Sequence, residues 1–126
     1  GLNNHRSYKA TKNQPLMEAF MRRLKAAGSL YFLDSQVSSK SVAYAQAKIA
    51  GIPAASNYIF LEEGKKHTKE FAAQMLRRAA AHAKKQGSVV VIGHHYFHGT
   101  YEALMEEVPK LQAEGFEFVF ASALSR

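Results

Sequence analysis

The sequence predicts an α/β protein built on a parallel sheet, and three features support this prediction. Short apolar runs alternate with longer segments of helical periodicity along the chain. The clearest run, residues 89–92, is Val-Val-Val-Ile, which is typical of a strand buried on both faces of a parallel sheet. Glycines also stand where predicted helices end, for example Gly28 and Gly87. Strict alternation of strands and helices favours parallel strands joined by right-handed crossovers.

The first half of the chain predicts two helices and three short extended segments. Residues 1–10 are polar and aperiodic, which predicts a loop. A helix is predicted over 11–28, because Thr11 or Asn13 can cap it and Pro15 suits its first turn. Its predicted apolar stripe is Leu16, Phe20 and Leu24, with Met17 and Met21 beside it. A buried strand is predicted over 30–33. A helix follows that Ser38 or Ser39 caps and that runs to Ala50, and two short extended segments are predicted over 52–55 and 58–61.

The second half predicts two further helices and two strands. A long helix is predicted over 68–86, with apolar positions at helical spacing at Phe71, Met75, Leu76 and Ala79. The valine-rich strand follows, then a loop over 94–99, a helix over 100–114 and a final strand over 116–121. Since no repeat or linker is visible, we expect residues 1–126 to form a single α/β domain.

The composition limits the classes of protein to consider. The 126 residues are 47% hydrophobic, which argues against disorder. No run approaches the ~20 apolar residues that a transmembrane helix needs, and no signal peptide is recognised in this chain. Without Cys the chain has neither disulfides nor thiolate metal sites, so a bound metal would require His and carboxylate ligands.

The net charge is +7, from 17 Lys and Arg against 10 Asp and Glu. Most of this excess falls on predicted helices, where solvated basic faces are the simplest interpretation. An anionic partner is the alternative, and a basic nucleic-acid-binding domain is one form of it. The sequence has no recognised nucleic-acid motif, and it lacks the G-x-G-x-x-G, P-loop, G-x-S-x-G and H-E-x-x-H patterns.

Two adjacent imidazoles mark the first candidate site. His94 and His95 follow Gly93 at the carboxyl end of the valine-rich strand, where α/β proteins bind ligands. Because successive residues point in opposite directions, only one of the two rings should face a pocket, and His94 is the better candidate. His98 could join it. The alternative is a set of histidines that are hydrogen-bonded in a surface loop.

Other candidates occupy similar positions. Asp34 follows the apolar strand over 30–33, where it could act on a ligand or cap a turn. His5 follows two asparagines and is either a loop histidine or a ligand. Glu62 and Glu63 follow the segment over 58–61. We favour a solvated turn for them over a role as acidic contacts at the same strand-end ligand site.

Several segments, taken in order, resemble one family. They are Gly1-Leu2-Asn3-Asn4-His5, Leu30-Tyr31-Phe32-Leu33-Asp34-Ser35, Ser38-Ser39-Lys40-Ser41-Val42-Ala43, Gly51-Ile52-Pro53, Ile59-Phe60-Leu61, and Gly87-Ser88 through Ile92-Gly93-His94. This ordered set resembles the C-terminal half of the divergent polysaccharide deacetylase family and covers nearly the whole chain. The resemblance implies part of a distorted (β/α) barrel.

The resemblance also implies metal-dependent N-deacetylation of a carbohydrate in the cell envelope or periplasm. Such enzymes hold a divalent metal, usually zinc, on one Asp and two His, and the metal activates water against an N-acetyl carbonyl. His5 and His94 would be the metal ligands here, with His94 and Asp34 as catalytic residues. The residues expected to bind an N-acetylated glycan are Asn4, Ser35, His95 and His98.

The chain departs from the family pattern at three points. The family's Asp-Asp pair, which supplies a base and a metal ligand, does not occur here. Arg6 replaces the Met that usually follows N-N-H, and His95 replaces the Pro of I-G-H-P. We therefore expect the chain to be inactive alone and to be completed by a missing N-terminal half or by homo-oligomerisation. A non-catalytic glycan- or anion-binding module is the alternative function.

Overall fold

The computed structural model describes residues 1–28 and 30–126 and divides them into two compact units. The first unit comprises Gly1–Asn57 with Phe120–Arg126, and the second comprises Tyr58–Val119. Strands and helices alternate in both units, and all the paired strands are parallel in the described ranges. The predicted α/β class with parallel sheets is therefore confirmed, whereas the single domain over 1–126 stays a prediction.

The first unit contains a three-stranded parallel sheet in the order β1-β2-β3. Its elements are β1 (Leu2–Asn3), a 3-10 turn (Ala10–Lys12), α1 (Gln14–Ala26), β2 (Phe32–Asp34), α2 (Ala43–Ile49), β3 (Ala54–Ser56) and α5 (Ala121–Leu124). Phe32 pairs with Leu2 on one side and with Ala54 on the other. It is 1% exposed and lies at the centre of a core with Met17, Met21, Leu24 and Ile52.

Helix α1 begins at Gln14 rather than at residue 11, with Asn13 as the correct one of its two predicted caps, and it buries a partly different face. The Asn13 side chain accepts a hydrogen bond from the backbone N–H of Leu16 at 3.1 Å, so Asn13 is the N-cap. Met17, Met21 and Leu24 are buried, whereas Leu16 is 48% exposed. The predicted stripe is therefore correct at Leu24 and wrong at Leu16 and Phe20, where the flexible methionines fill the core instead.

The second unit pairs two parallel strands beside two long helices. The elements are β4 (Ile59–Phe60), α3 (Lys69–Gln86), β5 (Val91–Ile92) and α4 (His98–Ala113). Thr68 caps α3 by accepting the N–H of Phe71 at 3.2 Å. Gly87 ends this helix with a φ of 87°, a left-handed conformation that favours glycine. Leu61, Leu76 and Leu111 form the core of this unit.

Some predicted elements differ from the structure. Residues 1–10 are not all loop, because Leu2–Asn3 forms β1. The helix predicted from Ser38 or Ser39 begins only at Ala43. Val91–Ile92 is half-buried rather than buried on both faces, since β5 pairs with β4 alone in the two-stranded sheet that the structure describes. The prediction of a strand over 116–121 is wrong, because the described residues 116–120 pair with no other strand and α5 starts at Ala121.

Candidate functional site

Two side chains from neighbouring strands meet at one end of the second unit. Glu62 lies two residues beyond β4, and His94 lies two residues beyond β5. Because the strands are parallel and Phe60 pairs with Ile92, both residues lie at the carboxyl ends of their strands. The Glu62 side chain is only 5% exposed, and the His94 side chain is 27% exposed.

The carboxylate of Glu62 accepts three hydrogen bonds. Its Oε1 accepts the backbone N–H of His94 at 2.9 Å and also the hydroxyl of Thr100. Its Oε2 lies 2.9 Å from Nδ1 of the His94 ring. Each group that faces the carboxylate is able to donate, as an ionised carboxylate requires, because it can only accept. Glu62 is thus buried and fully partnered.

This arrangement determines the chemistry that is available to His94. Because Oε2 accepts from Nδ1, the proton of a neutral imidazole resides on Nδ1. The lone pair is then on Nε2, for which the described residues provide no hydrogen-bond partner. A carboxylate that fixes the tautomer and orientation of an imidazole in this way is typical of proton-transfer sites and of metal-ligating histidines.

Gly93 allows this close approach. A Cβ at this position would lie 2.9 Å from Cδ1 of Leu61 and 3.0 Å from Cγ2 of Thr100. It would also lie 3.5 Å from Oε1 of Glu62. A side chain here would therefore push against the residues that hold the pair.

Aromatic rings surround His94 in the same unit. Its ring stacks on Phe60 at a centroid distance of 6.2 Å and lies 5.3 Å from Tyr96. The other two predicted histidines lie further out: His95 is exposed, and His98 begins α4 with Nε2 3.4 Å from Oε1 of Glu102. His94 is the more buried of the adjacent pair, and its choice as the site histidine stays a prediction.

Asp34 ends β2 in the first unit and is completely buried. Its Oδ2 accepts from the Ser41 hydroxyl at 2.7 Å, from the Tyr44 N–H at 3.1 Å and from the Gln36 side chain at 3.1 Å. Its Oδ1 accepts the Gln36 N–H at 2.9 Å. These bonds tie the end of β2 to the start of α2, which is the capping role that the sequence left open. A catalytic role for Asp34 stays a prediction.

Asn4 and Ser35 bind each other in the first unit. Oδ1 of Asn4 accepts the Ser35 N–H at 2.8 Å, and the Ser35 hydroxyl donates to the Asn4 carbonyl at 2.6 Å. Both residues thereby join the ends of β1 and β2, and Ser35 is 3% exposed. Their predicted contacts with substrate are not tested by this arrangement.

The predicted metal ligands fall in different units. His5 is exposed in the first unit, and His94 belongs to the second. Within neither unit do three described His, Asp or Glu side chains gather as a ligand set for a metal ion. The residues described in each unit alone therefore do not fit the zinc site of the family, and the pairing of His5 with His94 stays a prediction.

Sequence reasoning missed the part played by Glu62. A solvated turn was favoured for both glutamates, which is correct for exposed Glu63 and wrong for buried Glu62. The available signal was positional, because Glu62 and His94 each follow an apolar strand by the same distance. Thr100 gave no signal, since it looked like an ordinary residue of a helix start.

The fold and the site together define a mixed α/β protein with parallel sheets and a carboxylate–imidazole pair at its strand ends. A family model described as divergent polysaccharide deacetylase matches residues 1–125. The chain therefore belongs to the divergent polysaccharide deacetylase family. Its alternating strands and helices are consistent with the deacetylase-type fold.

Two similar proteins place the chain in context. An uncharacterized protein of Haemophilus influenzae is 41% identical over 96 residues, which cover 75% of this chain and 32% of that protein. The crystal structure of an uncharacterized protein from Agrobacterium tumefaciens C58 is similar with a TM-score of 0.88 at 24% identity. That match covers 98% of this chain and 49% of the other, so the chain spans about half of the solved protein. At this identity the structural likeness shows the fold alone. The described helices include none that is long and apolar enough to cross a membrane.

Proposed function

We propose that this chain is part of a hydrolase that removes acetyl groups from N-acetylated glycans, with His94 as the residue that transfers the proton. The observation that supports the proposal is the contact between Glu62 Oε2 and His94 Nδ1 at 2.9 Å. The family to which the chain belongs supports the choice of substrate class.

The proposed chemistry is hydrolysis of an amide. Water adds to the acetyl carbonyl carbon, the C–N bond breaks, and the nitrogen leaves as an amine that requires a proton. Nε2 of His94 would first accept a proton from the attacking water and then deliver it to the leaving nitrogen, while Glu62 keeps the ring oriented and stabilises its charged form between the two transfers. The products are acetate and a free amino sugar.

Whether His94 binds zinc can be tested separately from acetate release. Nε2 of His94 can either bind a metal or transfer a proton, but not both at once. Zinc affinity measured on the full-length gene product therefore distinguishes the two roles. Loss of affinity in both His5→Ala and His94→Ala would make His94 a ligand, whereas loss in His5→Ala alone is expected if His94 handles the proton.

Acetate release from chitotetraose by the full-length gene product tests the function. His94→Ala should lower kcat by about 10²–10⁴-fold, the usual contribution of a general acid or base. His82→Ala, which removes an imidazole from α3, serves as the matched control and should retain activity. If the wild-type protein binds chitotetraose but releases no acetate, a non-catalytic glycan-binding module is the better description. Affinity for nucleic acid that falls steeply with salt would instead favour the basic nucleic-acid-binding alternative.

A further inference from the structure

An exposed aromatic ring stands beside the proposed proton-transfer residue. Tyr96 is 59% exposed, although its ring contacts three neighbours. The centroid distances are 4.6 Å to Phe97, 5.3 Å to His94 and 5.4 Å to His95. One part of this ring is therefore fixed by packing while the rest faces solvent.

The loop that presents Tyr96 is tightly organised. The backbone N–H of Phe97 donates to the carbonyl of His94 at 3.2 Å, which closes a turn over these four residues. The Phe97 ring stacks on His67 at 4.2 Å with an interplanar angle of 17°. Because the loop is already ordered, a ligand that binds Tyr96 would not have to pay much conformational entropy for this ring.

We propose that Tyr96 and His95 form a sugar-binding subsite next to His94, which accepts a pyranose unit of a polymeric glycan. One face of such a ring carries mainly C–H groups and can pack on an exposed aromatic side chain, which contributes area at little entropic cost. The hydroxyls around its edge need both donors and acceptors, and a neutral imidazole such as His95 offers one of each. This inference rests on the proposed function, and it adds a role for Tyr96 to the glycan contact that the family resemblance already implied for His95.

Calorimetric titration of the full-length gene product with chitotetraose tests the subsite. Tyr96→Ala should weaken binding by about tenfold, the equivalent of one good aromatic contact. Tyr96→Phe keeps the ring and should bind within about twofold of the wild type. Tyr58→Ala is the matched control: Tyr58 is an exposed tyrosine at the opposite end of the parallel pair, stacked on His82 at 3.8 Å. The affinity of the Tyr58→Ala variant for chitotetraose should equal that of the wild type. Thermal unfolding would show that each variant is folded.

Kinetics separate this inference from the proposed function. Tyr96→Ala should raise KM for chitotetraose while kcat is retained, because the ring contacts sugar and not the reacting amide. Binding that depends on Tyr96 in a protein that releases no acetate supports the subsite and overturns the hydrolase. Acetate release with unchanged affinity and KM in Tyr96→Ala overturns the subsite and leaves the hydrolase intact. A wild-type protein that does not bind chitotetraose also overturns the subsite.

Discussion

Glu62 binds His94 through both carboxylate oxygens, one to the backbone N–H and one to ring atom Nδ1, each at 2.9 Å. The same carboxylate therefore anchors the start of the loop and orients the imidazole that the loop presents. Since Glu62 and His94 follow two paired parallel strands, their separation depends on the register of β4 and β5. The sheet thus determines the geometry of the pair.

The first prediction concerns the charge on Glu62. In Glu62→Gln an amide nitrogen can face Nδ1, which favours the tautomer with its proton on Nε2. If His94 transfers protons, acetate release should fall by up to about 10⁴-fold, as when an amide replaces the carboxylate behind a catalytic histidine. Nitrogen chemical shifts of the His94 ring would show the change of tautomer directly.

Glu63→Gln provides the control for that experiment, because Glu63 is the adjacent exposed glutamate. It should leave both the tautomer of His94 and the activity unchanged. A Glu62→Gln protein with normal tautomer and normal kcat would show that the carboxylate has only a packing role.

The sequence located the strand ends correctly but not the partners of each side chain. Asp34 and His94 were placed at carboxyl ends because β-branched and aromatic runs identify strands locally. Whether a carboxylate there is solvated or buried depends on residues far along the chain. Glu62 is buried by contacts with His94 and Thr100, which are 32 and 38 positions away. Such long-range packing leaves no local pattern.

The errors in the predicted fold have the same origin. The caps of α1 and α3 could be predicted since Asn13 and Thr68 bond to backbone within three residues. Strand β1 could not, because two residues are too few to show periodicity, and only its pairing with β2 (Leu2 with Phe32 and Asn3 with Leu33) defines it. Conversely, the aromatic segment over 116–120 has strand-like composition but no described pairing, so composition alone misled the prediction.

The second prediction separates two roles of Asp34. Asp34→Ala leaves the N–H of Tyr44 and the hydroxyl of Ser41 without their buried acceptor. Stability should fall by about 1–3 kcal/mol, the usual cost of leaving such groups unsatisfied. Urea denaturation measures this change, and acetate release per folded molecule measures catalysis. Normal activity would confirm a capping role, whereas lost activity at unchanged stability would support the catalytic role that the family resemblance implies.

The third prediction concerns acid. Hydrogen bonds from Lys110 and Lys69 lower the pKa of Glu106 from 4.5 to about 2. Because the pKa of Glu106 is lower in the folded protein, its ion pair with the lysines contributes its full stabilisation at pH values above the ordinary pKa of 4.5. This contribution is lost as the pH falls toward the folded-state pKa of about 2. The urea midpoint of the wild type should therefore exceed that of Glu106→Gln near neutral pH, and the difference should shrink between about pH 4.5 and 2.

Salt provides an independent check on the Glu106 prediction. The side chains of Lys69 and Glu106 are 42% and 43% exposed, so added salt should screen their attraction. The difference between wild type and Glu106→Gln should become smaller at high ionic strength even near neutral pH. A difference that persists in acid and in high salt would mean that Glu106 stabilises α4 through packing instead.

The last prediction concerns the contact between the starts of α3 and α4. A Cβ on Gly99 would lie 2.5 Å from the carbonyl oxygen of His67 and 2.6 Å from the backbone nitrogen of Lys69. Backbone atoms cannot rotate away, so Gly99→Ala must displace one helix start and should cost about 1–3 kcal/mol, as overpacking does. Gly87→Ala is the control, since no atom lies within 4 Å of its Cβ position and only its φ of 87° is unfavourable. Urea denaturation should rank Gly99→Ala below Gly87→Ala in stability.

Because Thr100 follows Gly99 and donates to Glu62, acetate release should also fall in Gly99→Ala but not in Gly87→Ala. Equal stability and activity in the two variants would show that the helix starts can separate without disturbing the carboxylate–imidazole pair.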